Sequence, residues 1–300
     1  MLDFYQKLYH NNPMSDNILK IYDQIKTVFK ENNESRAISH LFQELYFESD
    51  HLLSSKEKIP LNSQISNKDY FSYKENKKLT RPINKNLYDY VTDDMVNVFF
   101  DKLKNNAVAD LKSNDITAIV YRIAINFCVA IDIIKDSDQK TPGTYFEYLM
   151  GHLFSINFGV KPRNQVEVLN LDMKSKLPTD LIFDLGTNRP KFHVPVKTST
   201  RERVVQVWAH QRVLDGVYGN GRFIGLLTCL AETKLDHKTK EVIEICLPDQ
   251  WRLYQLFISQ LKRVYYLDIP QKYLELNNYF PKIHVKQLGE FFHEKELLLE

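Results

Sequence analysis

Between Ile116 and Ile134 the chain is apolar almost without a break, interrupted only by Arg122, Asn126 and Asp132. A helix that is apolar all round has to be enclosed, either by lipid or by its own protein. A membrane span needs uninterrupted apolar length, and ionisable groups inside one are costly. The three polar side chains therefore point to a core helix packed on every side. Such a helix demands many surrounding elements, which 300 residues with 43% hydrophobic content can supply, as one large domain or two unequal ones. We expect a soluble, cytoplasmic protein with no membrane partner. Met1–Lys7 lacks the basic start and apolar run of a signal peptide. Cys128, Cys229 and Cys246 show no CxxC spacing and form no even set, which fits a reducing compartment and argues against structural zinc or a disulfide framework.

The elements around that helix divide the chain in three. Residues 1–53 read as a helical region. Ser15 or Asp16 can cap a helix carrying Ile18, Ile21, Tyr22, Ile25, Val28 and Phe29 at the 3.6-residue period, and a second begins near Ser35. Residues 54–86 hold eight basic side chains against three acids, with Tyr70, Phe71 and Tyr73 among them. They read either as a DNA-embracing arm or as a solvated linker. Residues 87–300 carry the rest, with cap signals at Thr92-Asp93-Asp94 and Asn114-Asp115 and a helix starting at Thr141-Pro142-Gly143. Beyond that helix the pattern switches to short strands at Val166–Asn170, Asp180–Leu185 and Phe192–Thr198. A helix over Arg201–Asp215, strands at Phe223–Ala231 and Val242–Leu247, and a helix over Asp249–Val264 complete the order. The fold class is α/β, a central mixed sheet flanked by helices.

Two neighbouring strands each place a reactive polar group near an end. The first brings Asp180, the second Lys197, and the turn Asn188-Arg189-Pro190 allows them to pair. A carboxylate that can hold a divalent cation beside an ammonium that can handle a water is equipment for cutting a phosphodiester. An Asp and a Lys at such positions are more often a plain surface ion pair. Two further features favour chemistry. Glu147 lies in the preceding helix, where it can supply a second carboxylate, so that Asp180 and Glu147 together suit Mg²⁺. Arg201-Glu202-Arg203 follows Ser199 and Thr200, either of which can cap the helix that begins there. The triplet offers an Arg for guanine and a Glu for cytosine, and two arginines at a helix N-terminus oppose the helix dipole. Asp184 falls on the Asp180 face but at the far end of the strand, outside the site. His193 and His152 can lie near the site, though a lone His is more often structural, and Trp208 and Trp251 read as core residues. There is no nucleophile elbow, phosphate-binding Gly loop or paired-His spacing.

These residues resemble the PD-(D/E)xK type II restriction endonucleases, and within them the branch that reads CCGG or interrupted CC-GG sites (NgoMIV-like and EcoRII-like enzymes). The resemblance covers Thr141 to Asp215, about a quarter of the chain. Pro178-Thr179-Asp180 is similar to the family's PD element with one residue inserted, Lys197 to its lysine and Glu147 to its helix glutamate. In that branch the acid before the lysine is missing, as at Pro195 here, and an Arg-acid-Arg element follows the lysine. The resemblance implies that Arg201 and Glu202 read the inner G·C pair and Arg203 the neighbouring guanine. It also implies a Mg²⁺-dependent double-strand cut leaving 5′-phosphate and 3′-hydroxyl ends. A palindromic double-stranded DNA site calls for a homodimer or a higher assembly. The branch carries a further glutamate about thirteen residues after the lysine, and His210 and Gln211 stand there in this chain. Either takes a supporting role, or Glu147 alone completes the site. Two other readings stay open: an inactive sequence-specific DNA-binding protein on the same fold, and a non-specific repair-type nuclease.

Overall fold

The computed structural model describes residues 13–31, 35–76, 78–169, 174–236 and 238–299. Its helices are α1 (Pro13–Glu31), α2 (Ser35–Ser54), α3 (Lys85–Tyr88), α4 (Asp93–Lys104), α5 (Ser113–Ile134), α6 (Lys140–Phe158), α7 (Val205–Tyr218), α8 (Pro248–Phe257), α9 (Gln271–Leu274) and α10 (Lys295–Leu299). The strands are β1 (Glu57–Ser63), β2 (Tyr70–Glu75), β3 (Lys78–Leu79), β4 (Ile83–Asn84), β5 (Arg163–Leu169), β6 (Lys174–Asp184), β7 (Lys191–Val194), β8 (Val196–Lys197), β9 (Phe223–Cys229), β10 (Thr233–Leu235), β11 (Glu241–Glu244), β12 (Leu261–Tyr266) and β13 (Val285–Gln287). They form two sheets. The larger runs β13-β12-β9-β7-β6-β5, with β8 resuming beside β9 beyond Pro195. Its β7, β9, β12 and β13 are parallel, while β5, β6 and β7 pair antiparallel. The mixed α/β class expected from the sequence is the class observed.

Helix α5 is long and apolar enough to cross a membrane, yet 83% of its apolar window is buried by the chain's own elements. Its polar side chains have partners, as burial requires. Asp50 on α2 accepts from Arg122 at 3.1 Å and from Asn126 at 2.9 Å. Asp132 takes a two-pronged bond from Arg81 at 2.7 and 2.8 Å. The buried cluster around α5 includes Ile18 and Ile25 of α1, Phe42 and Leu45 of α2, Leu149 of α6 and Phe183 of β6. The N-terminal helices therefore share one core with the larger sheet.

A close approach closes this core near the C-terminus. A Cβ built on Gly289 would meet the Ser113 carbonyl oxygen at 1.9 Å, and the Gly289 N–H donates to Thr117 Oγ1 at 2.8 Å. Gly289→Ala must push backbone from backbone. We expect a loss of about 2–3 kcal/mol in urea unfolding, the usual size of overpacking. A variant within 0.5 kcal/mol of wild type, a margin roughly that of a neutral surface change, contradicts that packing.

Three expectations are corrected. Residues 54–86 are not a linker: they fold into β1–β4 of the smaller sheet, which β10 and β11 extend. Their cations face acids, Lys56 with Glu75 at 2.6 Å and Lys68 with both Glu244 and Asp268 at 2.9 and 2.8 Å. Lys58, Lys74, Lys78 and Arg81 also have acidic partners. Much of the basic excess is thus neutralised inside the fold; Lys77 lies outside the described residues. The helix expected over Asp249–Val264 ends at Phe257, and Leu261–Tyr266 is β12. Short apolar runs fit a buried strand as well as a helix, and here the slot beside β9 decides. The helix expected from Arg201 opens as a 3-10 turn over Arg201–Val204, and neither Ser199 nor Thr200 caps it.

Candidate active site

Asp180 does not begin its strand, as expected, but sits within β6 at an irregularity. Gln165 of β5 pairs with Pro178 and Arg163 with Ile182, so β6 carries two extra residues over that interval. Such a bulge re-aims side chains and is favoured beside active sites. It falls on Pro178-Thr179-Asp180, the element whose extra residue the sequence already exposed. Beyond it β6 pairs with β7, Leu181 facing Val194 and Ile182 facing His193.

The expected pairing of Asp180 with Lys197 is present. Asp180 Oδ2 accepts from Lys197 Nζ at 2.7 Å and from the Val196 N–H at 2.8 Å. The Lys197 side chain is 29% exposed and that of Asp180 21%, so both are partly open to a ligand and partly screened from water. Lys197 itself is set by β8, whose backbone is tied to β9 through Leu230 N and Lys197 O at 3.0 Å.

Glu147 comes from helix α6, which packs against β6 and β8. Helix α6 packs closely on α1 and β6 because Gly151 leaves room: a Cβ there would lie 2.6 Å from the Phe29 ring and 3.2 Å from the Leu181 side chain. Glu147 is one turn earlier on the same helix and makes no ion pair among the described residues. Burial pushes its carboxyl up to about 7, the Asp180 charge adds to the shift, and Lys197 opposes it. All three expected catalytic side chains thus lie within electrostatic reach of one another. Glu147 and Asp180 line a cleft of about 870 Å³ together with Arg163, Lys176 and Thr179.

The chemistry of the donor set fits Mg²⁺. Asp180 and Glu147 offer carboxylate oxygens whose mutual repulsion a dication relieves. Among the described residues no cluster of three acids, histidines or cysteines stands ready to hold a metal. Two carboxylates suit a cation that keeps most of its shell as water and substrate phosphate.

His210 and Gln211, expected to support the site, do not touch Asp180 or Lys197 among the described contacts. Gln211 is buried; its amide donates to Asp215 Oδ1 at 3.0 Å and to the Phe223 carbonyl at 2.9 Å. Its oxygen is thereby left to accept from His193 Nδ1 at 3.0 Å. His193, which the sequence allowed near the site but read as more often structural, joins Gln211 to the surroundings of Asp180 and Lys197. Burial lowers its pKa to about 4, and the ring senses both Asp180 and Lys197. His210 is half-buried, its ring centroid 6.5 Å from that of His193. Asp184, expected outside the site, is engaged by Lys191 at 2.8 Å, and both residues line the same cleft as Asp180 and Glu147.

The Arg201–Arg203 turn follows Lys197 directly. Arg203 is exposed; Arg201 is half-buried with a left-handed backbone, φ 40°, an uncommon conformation for a side chain other than Gly, Asn or Asp. The Glu202 side chain lies outside the described residues. Under the turn is a residue that sequence reasoning missed, Glu232, fully buried in the segment leaving β9. The missed signal was an acid immediately after an apolar strand, the counterpart of the acid at a strand start that drew attention to Asp180.

Among solved structures, the fold is similar to the crystal structure of the Type IIP restriction endonuclease Kpn2I. The TM-score is 0.79 at 25% sequence identity, over 95% of this chain and 98% of that one. That overlap is too wide to leave out the N-terminal helices, so they belong to the shared fold. The restriction endonuclease PspGI–substrate DNA complex also matches, at TM-score 0.43 and 12% identity over 73% of this chain and 98% of that one. No family model and no curated protein matches the sequence.

Proposed function

We propose that this chain is a type II restriction endonuclease of the PD-(D/E)xK kind, making Mg²⁺-dependent double-strand cuts at a short palindrome with a CCGG-type core. The observation that carries the reading is the Lys197–Asp180 contact of 2.7 Å, at adjoining strands with Glu147 close by. The end-to-end likeness to a Type IIP restriction endonuclease supports the same chemistry.

Asp180 and Glu147 would hold Mg²⁺. When bound, the ion neutralises charge on the scissile phosphate and makes a water more acidic. Lys197 orients the attacking water and stabilises charge growing on the phosphoryl oxygens. Asp180 keeps that ammonium in place through Oδ2, which the Val196 N–H also fixes. Water adds to phosphorus as the 3′ oxygen leaves, giving 5′-phosphate and 3′-hydroxyl ends. Arg163 and Lys176 in the same cleft attract the DNA backbone. Arg201, Glu202 and Arg203 read G·C pairs from the major groove. Two copies of the chain related by a two-fold axis place one such site on each strand.

The test is incubation of unmethylated phage DNA with the purified protein and Mg²⁺, with Lys197→Ala alongside, followed by sequencing of the ends. Discrete fragments sharing a GC-core palindrome, and none from the variant, are expected. Random ends indicate a nuclease without sequence preference. Intact but retarded DNA indicates an inactive binder and removes the catalytic role of Lys197.

A further inference from the structure

We propose that Glu232 is the positioning residue that fixes the base-reading turn relative to the cutting site. The inference rests on the reading of Arg201–Arg203 as the element that contacts base edges.

Glu232 is fully buried, and its carboxylate collects donors from three stretches of chain. The Thr200 N–H donates to Oε1 and Oε2 at 3.0 and 3.1 Å, and the Thr200 hydroxyl to Oε1 at 2.5 Å. The Ser199 hydroxyl donates to Oε2 at 2.9 Å, with the Arg201 N–H at 3.4 Å from the same oxygen. Tyr266 of β12 donates its hydroxyl to Oε1 at 2.7 Å, and Cys229 Sγ lies 3.6 Å away. A buried carboxylate with this many donors has one well-defined orientation, and so does whatever donates to it.

The placement in sequence gives this its consequence. Residues 230 and 231 continue the pairing of β9, Leu230 N to Lys197 O at 3.0 Å and Ala231 N to Thr198 O at 3.2 Å. The Glu232 side chain then takes over and holds Ser199, Thr200 and Arg201. One strand end thus fixes Lys197, which faces the phosphate, and Arg201, which faces the bases. Glu232 sets the offset between them. It also places an anion at a helix start that carries two arginines, where free N–H groups need an acceptor. The left-handed backbone of Arg201 persists only if its surroundings hold it there.

Glu232→Gln keeps the shape but gives the donors one acceptor oxygen and an opposing NH₂ group. The measurement is kcat/KM on duplexes carrying the cleavage site and on duplexes with single base-pair changes in its core, with melting temperature recorded in parallel. We expect the discrimination between them to fall by about tenfold or more, the size of one lost base-reading contact, mainly through KM on the cognate duplex. Ser199→Ala and Thr200→Ala each remove one hydroxyl donor and should lower discrimination by a few-fold in a stable fold. A folded Glu232→Gln protein with wild-type discrimination overturns the proposal, as does an equal loss on all duplexes. Should Glu232→Gln not fold, unchanged discrimination in both hydroxyl variants overturns it equally. If the wild-type protein cuts at no discrete site, the underlying functional reading has failed instead, and that is known before any variant is assayed.

Discussion

Replacing Asp180 by Asn is expected to reduce DNA cleavage by about a thousandfold or more while leaving duplex binding measurable. The substitution is nearly isosteric, so the bulge in β6 survives. What changes is the group that meets the Lys197 ammonium at 2.7 Å and the Val196 N–H at 2.8 Å. An amide has one acceptor oxygen where the carboxylate has two, and it brings no charge for the cation. Cleavage loses both Mg²⁺ affinity and the orientation of Lys197. Removing one preorganised electrostatic element of this kind commonly costs about 10²–10³ in rate, and loss of the metal adds to that. On the proposed reading binding is carried by Arg163, Lys176 and the arginine turn, none of which contacts Asp180 among the described contacts, so retardation on a gel should persist. Cleavage by Asp180→Asn within roughly tenfold of wild type is incompatible with this active site, since tenfold is only about 1.4 kcal/mol of barrier.

In metal-free buffer, Glu147→Gln is expected to make the fold markedly more sensitive to acid. Burial lowers the pKa of His152 to about 3 and that of His193 to about 4. Both rings are therefore neutral in the folded protein near pH 5 and protonated in the unfolded chain. Their contribution is fully present above the unfolded value of about 6.5 and is lost as pH falls, by about 2 kcal/mol each at pH 5. Glu147 acts in the opposite direction. Its folded value is raised to about 7, so the folded protein takes up a proton that the unfolded chain does not, and stability is gained as pH falls from 7 towards 5. That gain, also about 2 kcal/mol, offsets one histidine in the wild type. Between pH 7.5 and 5 Glu147→Gln should therefore lose about 2 kcal/mol more stability than the wild type. Urea unfolding with chelator present measures both. Equal pH slopes for the two proteins place Glu147 in an ordinary solvated setting and remove it from the site.

The sequence went furthest where local chemistry and local geometry coincide. Helices α1, α2 and α5 were readable because a 3.6-residue period, or an apolar run with sparse polar breaks, needs nothing remote to interpret it. Thr92 behaves as its position suggested, accepting from the Met95 N–H at 3.3 Å. The pairing of Asp180 with Lys197 was also accessible, since two short strands joined by a tight turn have few alternatives to lying side by side. The polar residues of α5 gave the exclusion of a membrane span but not their partners. Asp50 and Arg81 lie far away along the chain, and no local rule selects them.

What the sequence determined by itself was the α/β class, the core helix, and the convergence of Asp180 with Lys197, because side-chain chemistry and short-range periodicity act within a few residues. Tertiary structure alone decided the rest. Leu261–Tyr266 became a strand because an open edge of β9 was there to accept it. Residues 54–86 pair chiefly among themselves as β1–β4, and what joins that ladder to the rest of the fold is β11, almost two hundred residues later, pairing with β1. Glu232 became the anchor of the arginine turn only once β9 carried it beneath Thr200. In each case the deciding interaction joins groups distant in sequence, whose encounter depends on the whole chain having folded.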